Sequence, residues 1–176
     1  HYGGSLTWLK SGELNDCQAL GGSSEKITEK AVKEGSFRTN KIGDVLIAMY
    51  GATIGKVAIL NETAYTNQAV CGCTPFEGIF NRYLFFYLIS QRKNFHAASE
   101  GGAQPNISKA KLLGYPFPLP PLAEQHRIVA KVDELMALCD QLEQEQESNL
   151  ETHETLVSTL LNALTSSTAD ASGFAE

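Results

Sequence analysis

Between Pro121 and Gly173 the chain has neither proline nor glycine, and after Pro121 it carries only two positive side chains, Arg127 and Lys131. The first absence removes the residues that break a helix. The second removes the local positive potential that an anion-binding stretch needs. No apolar run reaches the roughly 18 residues of a membrane-crossing helix, and no secretory signal pattern stands at the start. The chain opens at His1 without a methionine, which reads as a fragment or a processed chain. Its four cysteines, at 17, 71, 73 and 139, include no CxxC pair, and the histidines at 1, 96, 126 and 153 stand at no metal-ligand spacing. No metal site is therefore expected. Cys71 and Cys73 are one residue apart, so on a strand they share a face as small apolar side chains. Scattered thiols without a framework point to a reducing, cytoplasmic setting.

What is present divides the chain in two. A length of 176 residues, 43% of them hydrophobic, permits one packed domain plus an appendage. The net charge of −6 splits into +3 up to Pro120 and −9 from Pro121 onward. Phosphate binding depends on local rather than total charge, so the mildly basic first part remains open to it.

Leu6 to Leu9 reads as a strand. Thr28 caps a short helix that Gly35 stops. Lys26, Lys30 and Lys33, at i, i+4 and i+7, make either a phosphate-contacting face or, more simply, a solvated face carrying a Glu29–Lys33 pair. Ile42-Gly43-Asp44 is a turn with Asp44 capping it. Val45 to Tyr50 is apolar throughout, as in a strand buried on both faces. Gly51-Ala52-Thr53-Ile54-Gly55 reverses the chain into Lys56 to Leu60, and a third strand covers about Gln68 to Thr74. Asn81 caps an apolar helix reaching about Phe95. Gly101 to Asn106 is a loop. Ser108 caps a short helix ending at Gly114. Four prolines in Tyr115 to Pro121 force an extended path.

Strands and helices mix without a βαβ rhythm, so residues 1–120 are expected to form an α+β domain built on a mixed sheet. Pro121 suits the first turn of a long helix. Ile128, Val132, Leu135, Cys139 and Leu142 step by four and three along it, an association seam of the coiled-coil kind. Gln146, Asn149 and His153 interrupt the seam before Leu156 and Leu160. One helix from 121 to Leu164 would run roughly 65 Å; a break near Ser148-Asn149 is the competing reading. The small, polar residues 165–176 are expected to be disordered.

No catalytic set is found. Gly51 to Lys56 is one residue short of a phosphate loop, and Val57 stands where that loop has Ser or Thr. There is no methyl-donor loop, no Asn/Asp-Pro-Pro-aromatic motif and no Pro-Asp…Asp/Glu-x-Lys nuclease pattern. Gln104 and Asn106 offer amides of the kind that pair with adenine, although a plain loop uses such groups for its own hydrogen bonds.

Trp8 to Asn15, Gly43 to Lys56, Thr66-Asn67-Gln68-Ala69, Gly101 to Ser108, and Pro118-Leu119-Pro120-Pro121-Leu122-Ala123-Glu124-Gln125 with Arg127-Ile128-Val129 together resemble the specificity subunit of type I restriction-modification systems. The resemblance implies a non-catalytic, cofactor-free subunit. One DNA target recognition domain, over 1–120, would read half of a bipartite site in double-stranded DNA. A helical spacer, over 121–164, would help dock the modification (methyltransferase) subunits, with the restriction subunit joining through the complex. The full family pattern has two such domains and two spacer helices; here there is one of each. The absent second helix implies a homodimer through the seam.

These family motifs are shared by members with different targets, which makes them scaffold. The bases then fall to other loops: Gly22–Glu25, Thr39–Lys41 or Asn61–Thr66. Lys26, Lys30, Lys33, Lys41, Gln104 and Asn106 are the candidate DNA contacts. The alternative is a helical assembly scaffold with minor DNA contact; an enzyme using Gly51–Lys56 on a nucleotide is the third reading, against which Val57 argues.

Overall fold

A computed structural model describes residues 1–102 and 105–171, with 163–171 described by backbone alone. Among the described residues, seven strands form two sheets. β4 (Val45–Ala48) and β5 (Val57–Leu60) are buried at every position and occupy the middle of a four-stranded sheet ordered β2-β5-β4-β7, with β2 at Cys17–Leu20 and β7 at Val70–Cys73. β5 and β7 both run antiparallel to β4, while β2 runs parallel to β5. β1 (Tyr2–Leu9) is the centre of a three-stranded sheet, antiparallel to β3 (Lys26–Ile27) and parallel to β6 (Tyr65–Thr66). Both sheets mix parallel and antiparallel pairs, as expected from the sequence.

Side-chain alternation along β4 and β5 creates two apolar layers. Val45, Ile47, Val57 and Ile59 face the helices, where they meet Phe85, Leu88 and Phe95. Leu46, Ala48, Ala58 and Leu60 face the other way, onto Leu9, Leu14 and Val70. Cys71 and Cys73 pack on the helix side, consistent with their two-residue spacing. A smaller cluster of Trp8, Ile27 and Ala31 seats helix α1 (Glu29–Gly35) on the small sheet.

Thr28 caps α1 by accepting the Ala31 N–H, and Ser108 caps α4 (Lys109–Leu113) by accepting the Lys111 N–H. Asp44 closes its turn through Lys41, whose N–H donates to the Asp44 carboxylate at 3.0 Å. Gly51 to Gly55 is the expected hairpin. Gly55 sits at φ +77°, and a Cβ there would lie 2.8 Å from Arg92 Cγ.

Several expectations are corrected. The apolar helix starts on Phe80 as its cap, not Asn81, whose side-chain amide donates instead to the Gly43 carbonyl. It is two helices, α2 (Asn81–Ser90) and α3 (Arg92–Ala98). The Ser90 hydroxyl donates to the Tyr87 carbonyl, and the Gln91 N–H is shared between the Tyr87 and Leu88 carbonyls at the junction. Strands β2, β3 and β6 were not anticipated. Lys26 lies on β3, so it shares no helical face with Lys30 and Lys33, and the ion pair on α1 joins Lys30 to Glu34 rather than Glu29 to Lys33.

The proline segment runs extended along α2. The Tyr83 and Tyr87 hydroxyls donate to the Pro118 and Pro116 carbonyls at 3.1 and 2.6 Å, and Phe117 packs edge-on between the two tyrosine rings. Helix α5 then spans Leu122–Ala171 without a break at Ser148-Asn149. It passes Leu164 and takes in the first residues of the segment expected to be disordered, since no helix breaker precedes Gly173; residues 172–176 lie outside the described residues. By packing, His1–Val129 form one compact unit, which includes the start of α5, and residues from Ala130 form a second. In the second unit Leu135, Leu142, Leu156 and Leu160 are each about half exposed, and Cys139 is exposed. Among the described residues, no helix is long and apolar enough to cross a membrane.

Candidate functional site

The three loops suspected of base readout converge in the fold. Asn40 and Ala64 exchange backbone hydrogen bonds at 3.0 Å, joining Thr39–Lys41 to Asn61–Thr66. The Asn61 N–H donates to the Leu20 carbonyl, and the Gly22 N–H donates to Glu62 Oε1, which brings in Gly22–Glu25. Glu62 also accepts the Thr7 hydroxyl. That hydrogen bond above all, then the one from Gly22, with the charge of Lys26 adding to them, holds its carboxyl below the ordinary range. Lys26 donates to the same Thr7 oxygen at 3.3 Å, so this lysine belongs to a buttress between β1 and the loops.

The other candidate lysines do not gather. Lys30 and Lys33 are exposed on α1, and Lys41 is exposed beside Asn40. Asn106 lies in a backbone bridge with Tyr50 and Glu100, while Gln104 lies outside the described residues.

Sequence reasoning missed a cleft of about 300 Å³ next to these loops. It is lined by Arg38, Asn40, Asn67, Gln68, Cys71 and Lys109, with Met49 and Val70 at its apolar floor. Its parts come from four separated segments, so no local pattern announces it. The backbone around it is tied down. The Met49 N–H donates to the Ala69 carbonyl at 2.8 Å and the Ile107 N–H donates to the Met49 carbonyl at 2.9 Å. The Ala69 N–H donates to Asn67 Oδ1 at 3.1 Å.

Arg38 is committed to the scaffold: its guanidinium donates to the Gly72 carbonyl and the Thr74 hydroxyl and stands 3.7 Å from Asp44. Beneath it, a hydrogen bond from Cys73, together with the charges of Lys109 and Arg38, lowers the Cys71 thiol to about 6 against the opposing effect of burial. Cys73 is driven the other way, by its bond to Cys71 and by burial. Among the described residues, no group of three or more His, Cys, Asp or Glu is arranged to hold a metal ion. The cleft can offer charge and hydrogen bonds to a ligand, but it holds no acid–base pair of a hydrolytic kind.

Residues 2–152 match the family model described as type I restriction modification DNA specificity domain. The chain is 39% identical over 98 residues to the type I restriction enzyme EcoAI specificity subunit of Escherichia coli, covering 53% of this chain and 16% of that protein. It is 28% identical over 145 residues to the EcoR124I/EcoR124II specificity subunit of the same species, covering 79% of this chain and 35% of that protein. The chain thus spans about a third or less of the length of these relatives.

Among solved structures, a chain from a study of complex assembly and conformational transition of the type I R-M system superposes with a TM-score of 0.67 at 22% identity, covering 84% of this chain and 36% of that one. The HsdS subunit from Thermoanaerobacter tengcongensis gives 0.65 at 23%, covering 82% and 34%. These two likenesses establish the fold, and the family match extends over the sheets, the proline strap and the first part of α5. The chain belongs to the type I restriction-modification DNA specificity domain family.

Proposed function

We propose that this chain is a non-catalytic DNA reader, with residues 1–120 as the target recognition domain and 121–164 as the spacer helix. The observation that carries this reading is the match to a DNA specificity domain over residues 2–152, which takes in nearly all of the first part and most of the second. The charge division supports it, because the +3 balance lies on the globular part and the −9 on the helix. The tied loop cluster around Asn40 and Ala64 supports it as well, since base readout needs side chains held in fixed positions.

In this reading the domain binds one half of a bipartite site in double-stranded DNA, and the methyl donor and the chemistry belong to modification subunits docked on it. The restriction subunit joins through that complex. A second copy of the chain, paired along α5, supplies the other half of the site. The working compartment is the cytoplasm, where the DNA is.

The test is duplex binding by the purified chain at increasing salt, with methyl transfer assayed in the same samples. Affinity that falls as salt rises is expected, by release of counterions from the phosphates, with no methyl transfer above background. Affinity that does not change with salt, or stoichiometric methyl transfer by the chain alone, would overturn the reading.

A further inference from the structure

Cys71 and Cys73 share one face of β7, the edge strand of the four-stranded sheet, but they differ in what they meet. Cys71 lines the cleft of about 300 Å³, and Cys73 does not. The Cys73 thiol donates a hydrogen bond to the Cys71 sulfur, and the charges of Lys109 and Arg38 act on Cys71 in the same sense. Arg38 is held in place by the Gly72 carbonyl and the Thr74 hydroxyl. Lys109 begins α4, which Ser108 caps, and it lines the cleft as well. The cleft thus has a nucleophile on its wall, a donor behind that nucleophile and two cations beside it.

A second feature points to a bound group. Asn40 lines the same cleft and is 1% exposed, yet its Oδ1 has no hydrogen-bond partner among the described residues. A buried acceptor without a donor costs free energy unless something supplies one. An occupant that carries carboxylates for the cations and amide N–H groups for Asn40 meets both demands.

We propose that Cys71 is a modification site, at which the cleft takes up one half of a small, acidic, peptide-type disulfide as a mixed disulfide. The inference stands apart from the reading of the chain as a DNA binder. The Cys71 thiolate attacks one sulfur of the disulfide. A new S–S bond forms as the old one breaks. The electron pair of the old bond leaves on the other sulfur as a thiolate, which takes up the proton that Cys71 gave to solvent. Cys71 is oxidised and the departing half is reduced. Exchange with a small thiol runs the same step backwards. The site stays unmodified while small thiols are in excess and carries the adduct when disulfides accumulate.

Magnitudes decide which variable to test. With its thiol lowered to about 6, Cys71 is mostly thiolate at pH 7, where an ordinary thiol is ionised to a few per cent. A less basic sulfur is also a weaker nucleophile, so the net gain in rate is only about threefold. Selectivity for one disulfide over another therefore comes from charge. Cys139 is the internal comparison, exposed on α5 with Asp140 beside it and Glu143 one turn on. An acidic disulfide is favoured at Cys71 and repelled at Cys139, and a cationic one the reverse.

The experiment uses the full chain at pH 7, with oxidised glutathione as the acidic disulfide and cystamine as the cationic one. Peptide mapping by mass spectrometry follows each cysteine. Oxidised glutathione is expected to label Cys71 ahead of Cys17, Cys73 and Cys139, and excess reduced glutathione to remove the label. Cystamine is expected to favour Cys139. Lys109→Gln should lower the ratio of the glutathione rate to the cystamine rate at Cys71 on the order of tenfold. The ionisation of the thiol cancels from that ratio, so it reads the charge of the cleft alone. Lys109 is exposed, so the variant should melt like the wild type. In urea, Cys71 should lose its lead over Cys17 and Cys73.

A Cys71 that oxidised glutathione leaves unlabelled in the folded chain overturns the proposal. So does an equal ratio of the two rates at Cys71 and Cys139, or a ratio at Cys71 unchanged by Lys109→Gln, because the cleft would then have no part in choosing the disulfide. A lead over Cys17 and Cys73 that persists in urea overturns it as well, since its cause would lie in the local sequence and not in the fold.

Discussion

The side chain of Gln125 is wholly buried, and its Oε1 accepts the backbone N–H of Phe80 at 2.8 Å. Its Nε2 donates to the Gly78 carbonyl at 2.8 Å and to the Pro120 carbonyl at 2.9 Å. One carboxamide therefore satisfies the start of α2, the loop before it and the end of the proline strap, from the first turns of α5. Val129, 2% exposed, and His126, stacked on Phe80, complete the seat. The start of α5 is fixed by hydrogen bonds rather than by proline alone.

Replacing Gln125 by Leu keeps the volume but leaves the Phe80 N–H and two carbonyls without partners. Such groups cost about 1–3 kcal/mol when left unsatisfied in a buried place. An unfolding free energy lowered by at least that amount, read from urea denaturation, is expected. A Gln125→Leu chain as stable as the wild type would show that water replaces the amide and that the clamp is not structural.

Much of this fold is legible from short-range pattern. The unbroken apolar runs at Val45–Ala48 and Val57–Leu60 belong to central strands, and the side chains of Thr28 and Ser108 cap helices where the sequence places them. The strap and the long helix follow from where prolines stand and where they stop. What escapes is set by distant partners. β3 and β6 are two residues each and exist because β1 offers them hydrogen bonds from either side. β2 follows Asp16, which adopts φ +57° and whose carboxylate accepts the Val57 N–H and pairs with Arg92. The cleft is assembled from segments near 38, 49, 66–72 and 109, so a lysine pattern within one stretch pointed instead to α1.

Gly55 tests the hairpin reading of Gly51–Lys56. Its positive φ is costly for any residue with a Cβ, by about 1–2 kcal/mol, and a Cβ would press on Arg92 just where that side chain donates to the Gly55 carbonyl at 3.0 Å. Gly55→Ala should lower the unfolding free energy by at least that much, with a lower denaturation midpoint. Gly12→Ala, where a Cβ meets nothing within 4 Å, should change it little. Equal midpoints for the two variants would mean that the turn relaxes and that its glycine is dispensable.

Cys71 makes a prediction in pH. With its thiol lowered to about 6, the thiolate predominates above that pH and is lost below it. Alkylation by iodoacetamide, followed peptide by peptide in a mass spectrometer, should rise through a midpoint near 6 at Cys71, whereas Cys73, shifted upward, should stay slow across neutral pH. Lys109→Ala should move the Cys71 midpoint up, because one of the charges that favour the thiolate is gone. A Cys71 midpoint in the ordinary thiol range near 8.5 would mean that the thiol pair and its cations do not act on each other in solution.

The last prediction concerns the seam. Leu135 and Leu142 are 49% and 56% exposed, and Leu156 and Leu160 are each 54% exposed. Apolar area left in water forgoes about 25 cal/mol per Å², and a stripe of this length calls for a partner. In a two-fold antiparallel pair the early seam of one chain lies along the late seam of the other, with Gln146 and Asn149 close to the axis. Polar side chains facing each other there would hold the register, since a slip would place an amide against leucine. Parallel pairing would instead stack the two domains at one end, and with them their like charge.

Sedimentation at tens of micromolar should show a dimer for the wild type and a monomer for Leu135→Asp with Leu142→Asp. Ala137→Asp, on the outer face of the same turn, should remain dimeric. A wild type that sediments as a monomer removes the pairing altogether, and a double variant that stays dimeric places the contact elsewhere than on this seam.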